Sequence, residues 1–412
     1  MWLVCSVLDL HSYKIGELGR VITGKTPPTK RPELLGDGAA FITPTDLDET
    51  SIYAKPERRL SQVGEEAFAR SLLPAQAVCF TCIASVGKMC MTSEPSLTNQ
   101  QINSIIVDEA RFDPRWVFYA LKTKRDYVRS IASGSATPII NKTSFSNVEL
   151  DCPLLETQQR IAAILGAYDD LIEVNRQRII VLEEMAGGLF EEWFVRFRFP
   201  GHEDVPIVGA PDGPLPEGWE WVNLYDAAEV GFGFAFKSKA FSTEPVGARV
   251  VRIRDVQEGR TSTWTPEEFA DRYCVRNGDI LVGMDGNFHT NVWVGGDAAL
   301  NQRVTRLRPT LARSSGWLLQ AVKPKIKFFE DTISGTTVAH LGAKHLKTIY
   351  LPVADDETQR QADAFFSPVD EELVNLHVAN EKLAASRDLL LPRLISGQLS
   401  VEIAERELED AA

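Results

Sequence analysis

The chain has 412 residues, 44% hydrophobic and 25% charged, a composition that excludes wholesale disorder and suits two or three globular domains. No apolar run reaches the roughly 18 residues of a membrane span, residues 1–10 lack the basic start of a signal peptide, and six cysteines are too few for a disulfide scaffold, so a reducing cytoplasm is the expected setting. The formal net charge of -13 argues against a polyanionic ligand, yet the acid is concentrated: residues 1–155 are net 0, 156–200 net -3, 201–220 net -5, 221–355 net +3 and 356–412 net -8.

Residues 1–154 read as a mixed α/β domain. Short β-rich runs at 77–83 and 102–107 are followed by a helix expected over 116–131. Gly19-Arg20-Val21-Ile22-Thr23-Gly24-Lys25-Thr26 matches the phosphate-loop pattern G-x-x-x-x-G-K-[ST]. Such a loop runs into a helix whose N–H groups hold phosphate. Here Pro27 and Pro28 follow at once; both lack an N–H and oppose helix entry. What remains is a Gly-rich turn, or a loop that turns Lys25 and Thr26 toward a nucleic-acid phosphate. Cys79 and Cys82, with Cys90 nearby, lack the fourth ligand of a structural zinc site. They are expected to lie buried on a strand.

Residues 155–199 read as helical. Ile161, Leu165, Tyr168, Ile172, Asn175, Ile179, Leu182, Ala186, Leu189 and Trp193 step alternately by four and three, the seam of a coiled coil. Asn175 is its one polar member and is placed to fix register. Gly166 is expected to interrupt the helix. Residues 200–218 form a Pro- and Gly-rich linker. Residues 219–355 form a second α/β domain, with strand-like runs at 250–253, 280–282 and 304–307 and a helix over 317–327 that Pro324 should break. Residues 356–412 carry a second seam: Ala362, Phe366, Val369, Leu373, Leu376, Asn380, Leu383, Arg387, Leu390 and Leu394. Ser367 and Pro368 suit the N-cap and first turn of its long helix, and Pro392 should end or kink it. The two seams are expected to pack antiparallel as a spacer rod; the alternative is that each helix packs only on its own domain.

The two halves repeat. Glu156-Thr157-Gln158 recurs as Glu357-Thr358-Gln359, an offset of 201. Asp169 then meets Asp370, Leu182 meets Leu383, Leu189 meets Leu390, and Ser133-Gly134 meets Ser334-Gly335. Asn99-Gln100 meets Asn301-Gln302 at 202, and Cys79 and Cys82 fall on Leu281 and Met284. The fold class is therefore α/β (α+β), with a pseudo-twofold internal repeat.

Catalytic signatures are missing from the sequence. It has no Asp/Glu-x-Lys, no Asn/Asp-Pro-Pro-aromatic, no H-E-x-x-H and no G-x-S-x-G. What remains are basic and amide side chains near strand ends: Lys25, Thr26, Lys88, Asn99, Gln100 and Lys142 in the first half, and Lys237, Lys239, Arg252, Arg254, Asn287, Asn301, Gln302, Arg303, Lys344 and Lys347 in the second. Lys and Arg position phosphates, and Arg, Asn and Gln also read base edges. Together they favour DNA.

Several motifs resemble the specificity (S) subunit of type I restriction–modification enzymes. They are the two Glu-Thr-Gln openings after Pro153 and Pro352, Leu189-Phe190-Glu191-Glu192-Trp193-Phe194, Leu215-Pro216-Glu217-Gly218-Trp219, Phe236-Lys237-Ser238-Lys239-Ala240-Phe241, and Leu390-Leu391-Pro392-Arg393-Leu394-Ile395-Ser396-Gly397. Gly134 and Gly335 resemble its S-G-x-x signal. The first domain lacks an obvious counterpart of Phe236-Lys237-Ser238, and residues 402–412 run past the family pattern. The resemblance implies two target recognition domains, each reading half of a bipartite site in double-stranded DNA, joined by two long antiparallel helices that set the gap. It also implies two methyltransferase (M) subunits carrying S-adenosylmethionine, restriction (R) subunits using ATP and Mg, no cofactor in this chain and no catalysis by it. A coiled-coil adaptor with two protein-binding modules is the competing reading, and a P-loop NTPase a third.

Overall fold

The computed structural model describes residues 9–48, 51–134, 137–310, 313–333 and 339–409. Residues 1–8, the Ser334-Gly335 pair and the acidic end at 410–412 lie outside the described residues. The chain folds into two compact units, one made of Met1–Val174 and Glu381–Ala412, the other of Asn175–Asn380.

In the first unit, four antiparallel strands stand in the order Gly19–Thr23, Ile102–Val107, Val78–Thr81, Met89–Met91. A second sheet places Leu35–Ile42 between Arg58–Leu60 and Ser96–Thr98, the last pair parallel. The strand Val78–Thr81 is buried at all four positions, so its sequence Val-Cys-Phe-Thr shows no polar alternation. Cys79 lies buried on it as expected, and Cys82 is buried one residue past its end. Burial pushes the Cys82 thiol up to about 12, which keeps it a neutral core group.

The second unit repeats this plan. Ala228–Phe232, Val304–Pro309, Ile280–Gly283 and Thr290–Val292 form one antiparallel sheet. The strand Ala248–Val251 pairs in parallel with Ala298–Leu300 in another. A bracing helix follows the strands in each unit, Pro114–Thr123 in the first and Ser315–Thr332 in the second. Asp113 and Ser314 cap them by accepting from the backbone N–H of Trp116 and Trp317, and both indoles are fully buried. The helix expected over 116–131 is two pieces, Pro114–Thr123 and Arg125–Ser130.

Each long helical region is a single helix, Leu155–Phe190 and Asp356–Ile395. Three expected interruptions do not occur. Gly166 lies inside the first long helix, and its missing side chain makes room for Arg115: a Cβ there would stand 2.6 Å from Arg115 Nη1. Ser367 and Pro368 are internal to the second helix, held between the buried Phe366 and Val369. Pro324 lies inside Ser315–Thr332, with Ala321 and Val322 buried before it and Ile326 after it. Burial of the flanking residues outweighs the lost backbone hydrogen bond, worth roughly 3 kcal/mol in an exposed helix. The second long helix also runs through Pro392 and ends three residues later.

The seams do two things. Ile161, Leu165 and Leu394 join the core of the first unit, and Ala186, Ala362, Phe366 and Val369 that of the second. Between these ends the helices meet each other. In the second unit Asn175 Nδ2 donates to Asn380 Oδ1 at 2.9 Å and Arg178 pairs with Glu372 at 2.5 Å, an antiparallel order. In the first unit Asp169 pairs with Arg387. Ile172, Ile179 and Leu376 are buried, while Leu182, Leu189, Leu373, Leu383 and Leu390 are half-buried. Among the described residues, no helix is long and apolar enough to cross a membrane.

Candidate nucleic-acid interface

Antiparallel pairing gathers several chain segments at one end of each main sheet. In the first unit Thr23, at the end of its strand, faces Asn103; Ile102 opens the next strand and faces Thr81; Phe80 faces Met89. Residues just beyond those strand ends therefore converge: Lys25 and Thr26, Gln100, and Lys88. The parallel strand adds a fourth segment, because Ile42 pairs with Thr98 and the Asn99 N–H donates to Ile42 O at 3.0 Å.

The phosphate-loop pattern is absorbed by this junction. Gly19–Thr23 is a strand and no helix follows it. Gly24 donates to Ile102 O and Lys25 to Thr98 O. A Cβ on Gly24 would collide with the Thr98 and Asn99 carbonyls. The glycine is there for close backbone approach. It leaves Lys25 and Thr26 exposed, the Thr26 hydroxyl bonded to Gln100 Oε1.

The second unit builds the same junction from different side chains. Gly233 donates to Val304 O and Phe234 to Leu300 O, the counterparts of the Gly24 and Lys25 bonds. A Cβ on Gly233 would collide with Asn301 O. Gly24 thus corresponds to Gly233, and the counterpart of Phe236-Lys237-Ser238, which sequence comparison did not locate, is Pro27-Pro28-Thr29. The parallel-strand segment also repeats: Thr43 N donates to Asp46 Oδ2 at 2.6 Å and Arg252 N to Asp255 Oδ2 at 2.9 Å. This sets the exposed Thr45 where the second unit has the exposed Arg254.

The remaining candidates are placed as follows. Asn99 and Asn301 are turn formers: Asn99 Oδ1 accepts from Gln101 N and Asn301 Oδ1 from Gln302 N, which leaves Gln100 and Gln302 as the exposed amides. Arg252 is half-buried, 3.3 Å from Asp255. Arg303 is exposed with a left-handed backbone, φ 71°. It lies 3.5 Å from Asp285, whose other oxygen holds His340 Nδ1 at 2.6 Å. Asn287, Lys237 and Lys239 are exposed beside the same strand ends. Lys142 and Lys344 lie in matching short helices, Lys142–Ser146 and Ala343–Leu346. Each helix begins two residues after a backbone bond to the residue just past a main-sheet strand, Ile140 to Cys82 and Leu341 to Met284. Sequence reasoning missed Thr45, Asp285 and His340. The Asx-type turn shared by Thr43-x-x-Asp46 and Arg252-x-x-Asp255 was the signal for the first. Among the described residues, no group of three or more His, Cys, Asp or Glu could hold a metal ion.

Comparison with known proteins agrees with the duplication. A family model described as the type I restriction modification DNA specificity domain matches residues 8–184 and again 216–382. The MjaIX specificity subunit of a type I restriction enzyme from Methanocaldococcus jannaschii is 26% identical over 408 residues, 96% of this chain and 94% of that protein. The HindI specificity subunit from Haemophilus influenzae is 37% identical over 145 residues, 34% of this chain and 31% of that protein. Among solved structures, the S subunit of a type I restriction–modification system from M. genitalium superposes with a TM-score of 0.55 at 15% identity, covering 95% of this chain and 98% of that one. That likeness is one of fold.

Proposed function

The chain belongs to the type I restriction–modification DNA specificity family, and on that premise we propose that it is the non-catalytic chain that reads a bipartite, asymmetric site in double-stranded DNA. Each unit reads one half with the strand ends of its main sheet. The observation that carries this is one junction built twice with unlike side chains. Around a shared glutamine, Gln100 or Gln302, the residues Lys25, Thr26 and Thr45 stand where the second unit has Phe234, Ala235 and Arg254. One scaffold in two chemistries suits two different half-sites. Lys88, Lys142, Lys237, Lys239, Arg303 and Lys344 supply phosphate contacts beside them, and the helix pair fixes the gap between half-sites as protein geometry does in other readers.

The helices also dock two methyltransferase subunits, which carry S-adenosylmethionine and methylate a flipped adenine. Restriction subunits add ATP- and Mg-dependent cleavage. Exposed apolar side chains on the helices support the docking role: Leu171, Val174 and Leu389 in the first unit, Val181 and Met185 in the second. With a net charge of -13, the chain alone binds DNA weakly and the methyltransferase subunits provide much of the phosphate contact. The test is DNA binding by the methyltransferase–specificity complex across a salt series. A steep fall of affinity with salt is expected; a flat response would favour a protein-binding adaptor.

A further inference from the structure

The two units differ at one equivalent place, where the bracing helix meets the long helices. Their equivalence is fixed by Asp113 with Ser314 and Trp116 with Trp317, pairs 201 residues apart. At that offset Arg115 corresponds to Gly316, Tyr119 to Gln320, Lys122 to Lys323, Asp169 to Asp370 and Arg387 to Ala186.

In the first unit this place is filled. The Arg387 guanidinium is buried, 4% exposed, and pairs with Asp169, 2% exposed. The Tyr119 hydroxyl donates to the same carboxylate, and Arg115 is bound to Asp170 at 2.7 Å. The cavity left beside Phe118, Lys122 and Arg387 is about 20 Å³. In the second unit the three large side chains are replaced by Gly316, Gln320 and Ala186. A cavity of about 580 Å³ opens there, lined by Leu319 and Lys323, the counterparts of Phe118 and Lys122. Asp370 lines it too. Its Oδ2 accepts the Gly316 N–H at 2.7 Å, and the negative charges of Asp363 and Glu371 act on it. Burial raises this carboxyl to about 6, and a cation beside it would favour its charged form. Glu183, Glu184 and Glu258 add three carboxylates to the wall against one lysine.

We propose that the cavity of the second unit binds a guanidinium-bearing ligand, which occupies the place that Arg387 fills in the first unit and pairs with Asp370. A guanidinium offers five N–H donors in a plane. The carboxylate retains acceptor capacity beyond its bond to Gly316, and the Gln320 and Asn291 amides line the same cavity. The site is separate from the strand ends assigned to DNA, so its failure leaves that reading standing.

The test is calorimetric titration of the full-length chain with agmatine. Saturable one-site binding is expected. It should weaken at least about tenfold in Asp370→Asn, which loses a charged hydrogen-bond partner but keeps an oxygen for the Gly316 N–H. Ala186→Arg places a guanidinium where the repeat has one; it should abolish agmatine binding and raise Tm. Nα-acetyl-argininamide separates the sources: tighter binding than agmatine assigns the site to an arginine of a partner protein, weaker binding to a free small molecule. No saturation by either compound at millimolar concentration, or binding unchanged in both variants, would overturn the proposal.

Discussion

Asn175 and Asn380, one from each long helix, share a hydrogen bond of 2.9 Å in the middle of two mainly apolar seams. A buried amide in such a seam is satisfied only when its counterpart stands opposite, so the pair specifies one register at some cost in stability. Asn175→Ala leaves the Asn380 amide without its partner and should lower stability by about 1 kcal/mol. The double substitution to leucine should recover that loss in urea denaturation while relaxing the register.

A buried ion pair behaves differently. Arg387→Ala leaves the Asp169 carboxylate in the core of the first unit with the Tyr119 hydroxyl but without its cation. The expected loss is about 3–5 kcal/mol, read as a fall in denaturation midpoint. Removing the exposed Arg178–Glu372 pair should cost no more than about 1 kcal/mol.

Gly233→Ala drives a methyl group into the Asn301 carbonyl. Overpacking of this kind costs about 1–3 kcal/mol. The junction carries the proposed contacts of one unit only, so discrimination should be lost in one half of the DNA site and kept in the other. Competition binding with half-site mutant duplexes measures this.

Asp370 gives a pH dependence with a definite sign. Burial, helped by Asp363 and Glu371 and opposed by the backbone N–H groups of Gly316 and Ser315, sets its folded carboxyl at about 6, above the roughly 3.9 of an unfolded chain. The folded state therefore binds more protons between these values, and its contribution to stability falls as pH rises through that window. Asp370→Asn should be more stable than wild type near neutral pH, by up to roughly 2–3 kcal/mol, and lose that advantage near pH 4. Denaturation at the two pH values checks it.

Arg254 and Thr45 occupy the same position in the repeat with different chemistry. Arg254→Ala should cost about 1–3 kcal/mol in affinity with relaxed preference at one position if the guanidinium reads a base edge. A uniform loss with a salt slope reduced by about 1 marks a phosphate contact instead.

Much of this architecture was legible because it follows from local rules. The strand over 102–107 and the paired seams come directly from side-chain periodicity, and the Asn175 position from its lone polarity. Gly166, Pro324 and Pro368 misled because propensity is local, whereas Arg115 packing on Gly166 and the core residues around the two prolines are tertiary. The Gly24–Gly233 equivalence was hidden by a change of offset. The glycines are 209 residues apart but Asn99 and Asn301 only 202, so an insertion of seven residues separates the two signals. The strand-end cluster was beyond reach for a different reason: pairing, and not sequence distance, brings Lys25, Thr45 and Gln100 to one end of a sheet.

Methylome sequencing of a strain expressing this chain with its methyltransferase partner tests the central claim most directly. The account predicts methyladenine in a two-part motif, with unlike halves separated by a gap of fixed length. A contiguous or palindromic methyladenine motif would contradict it.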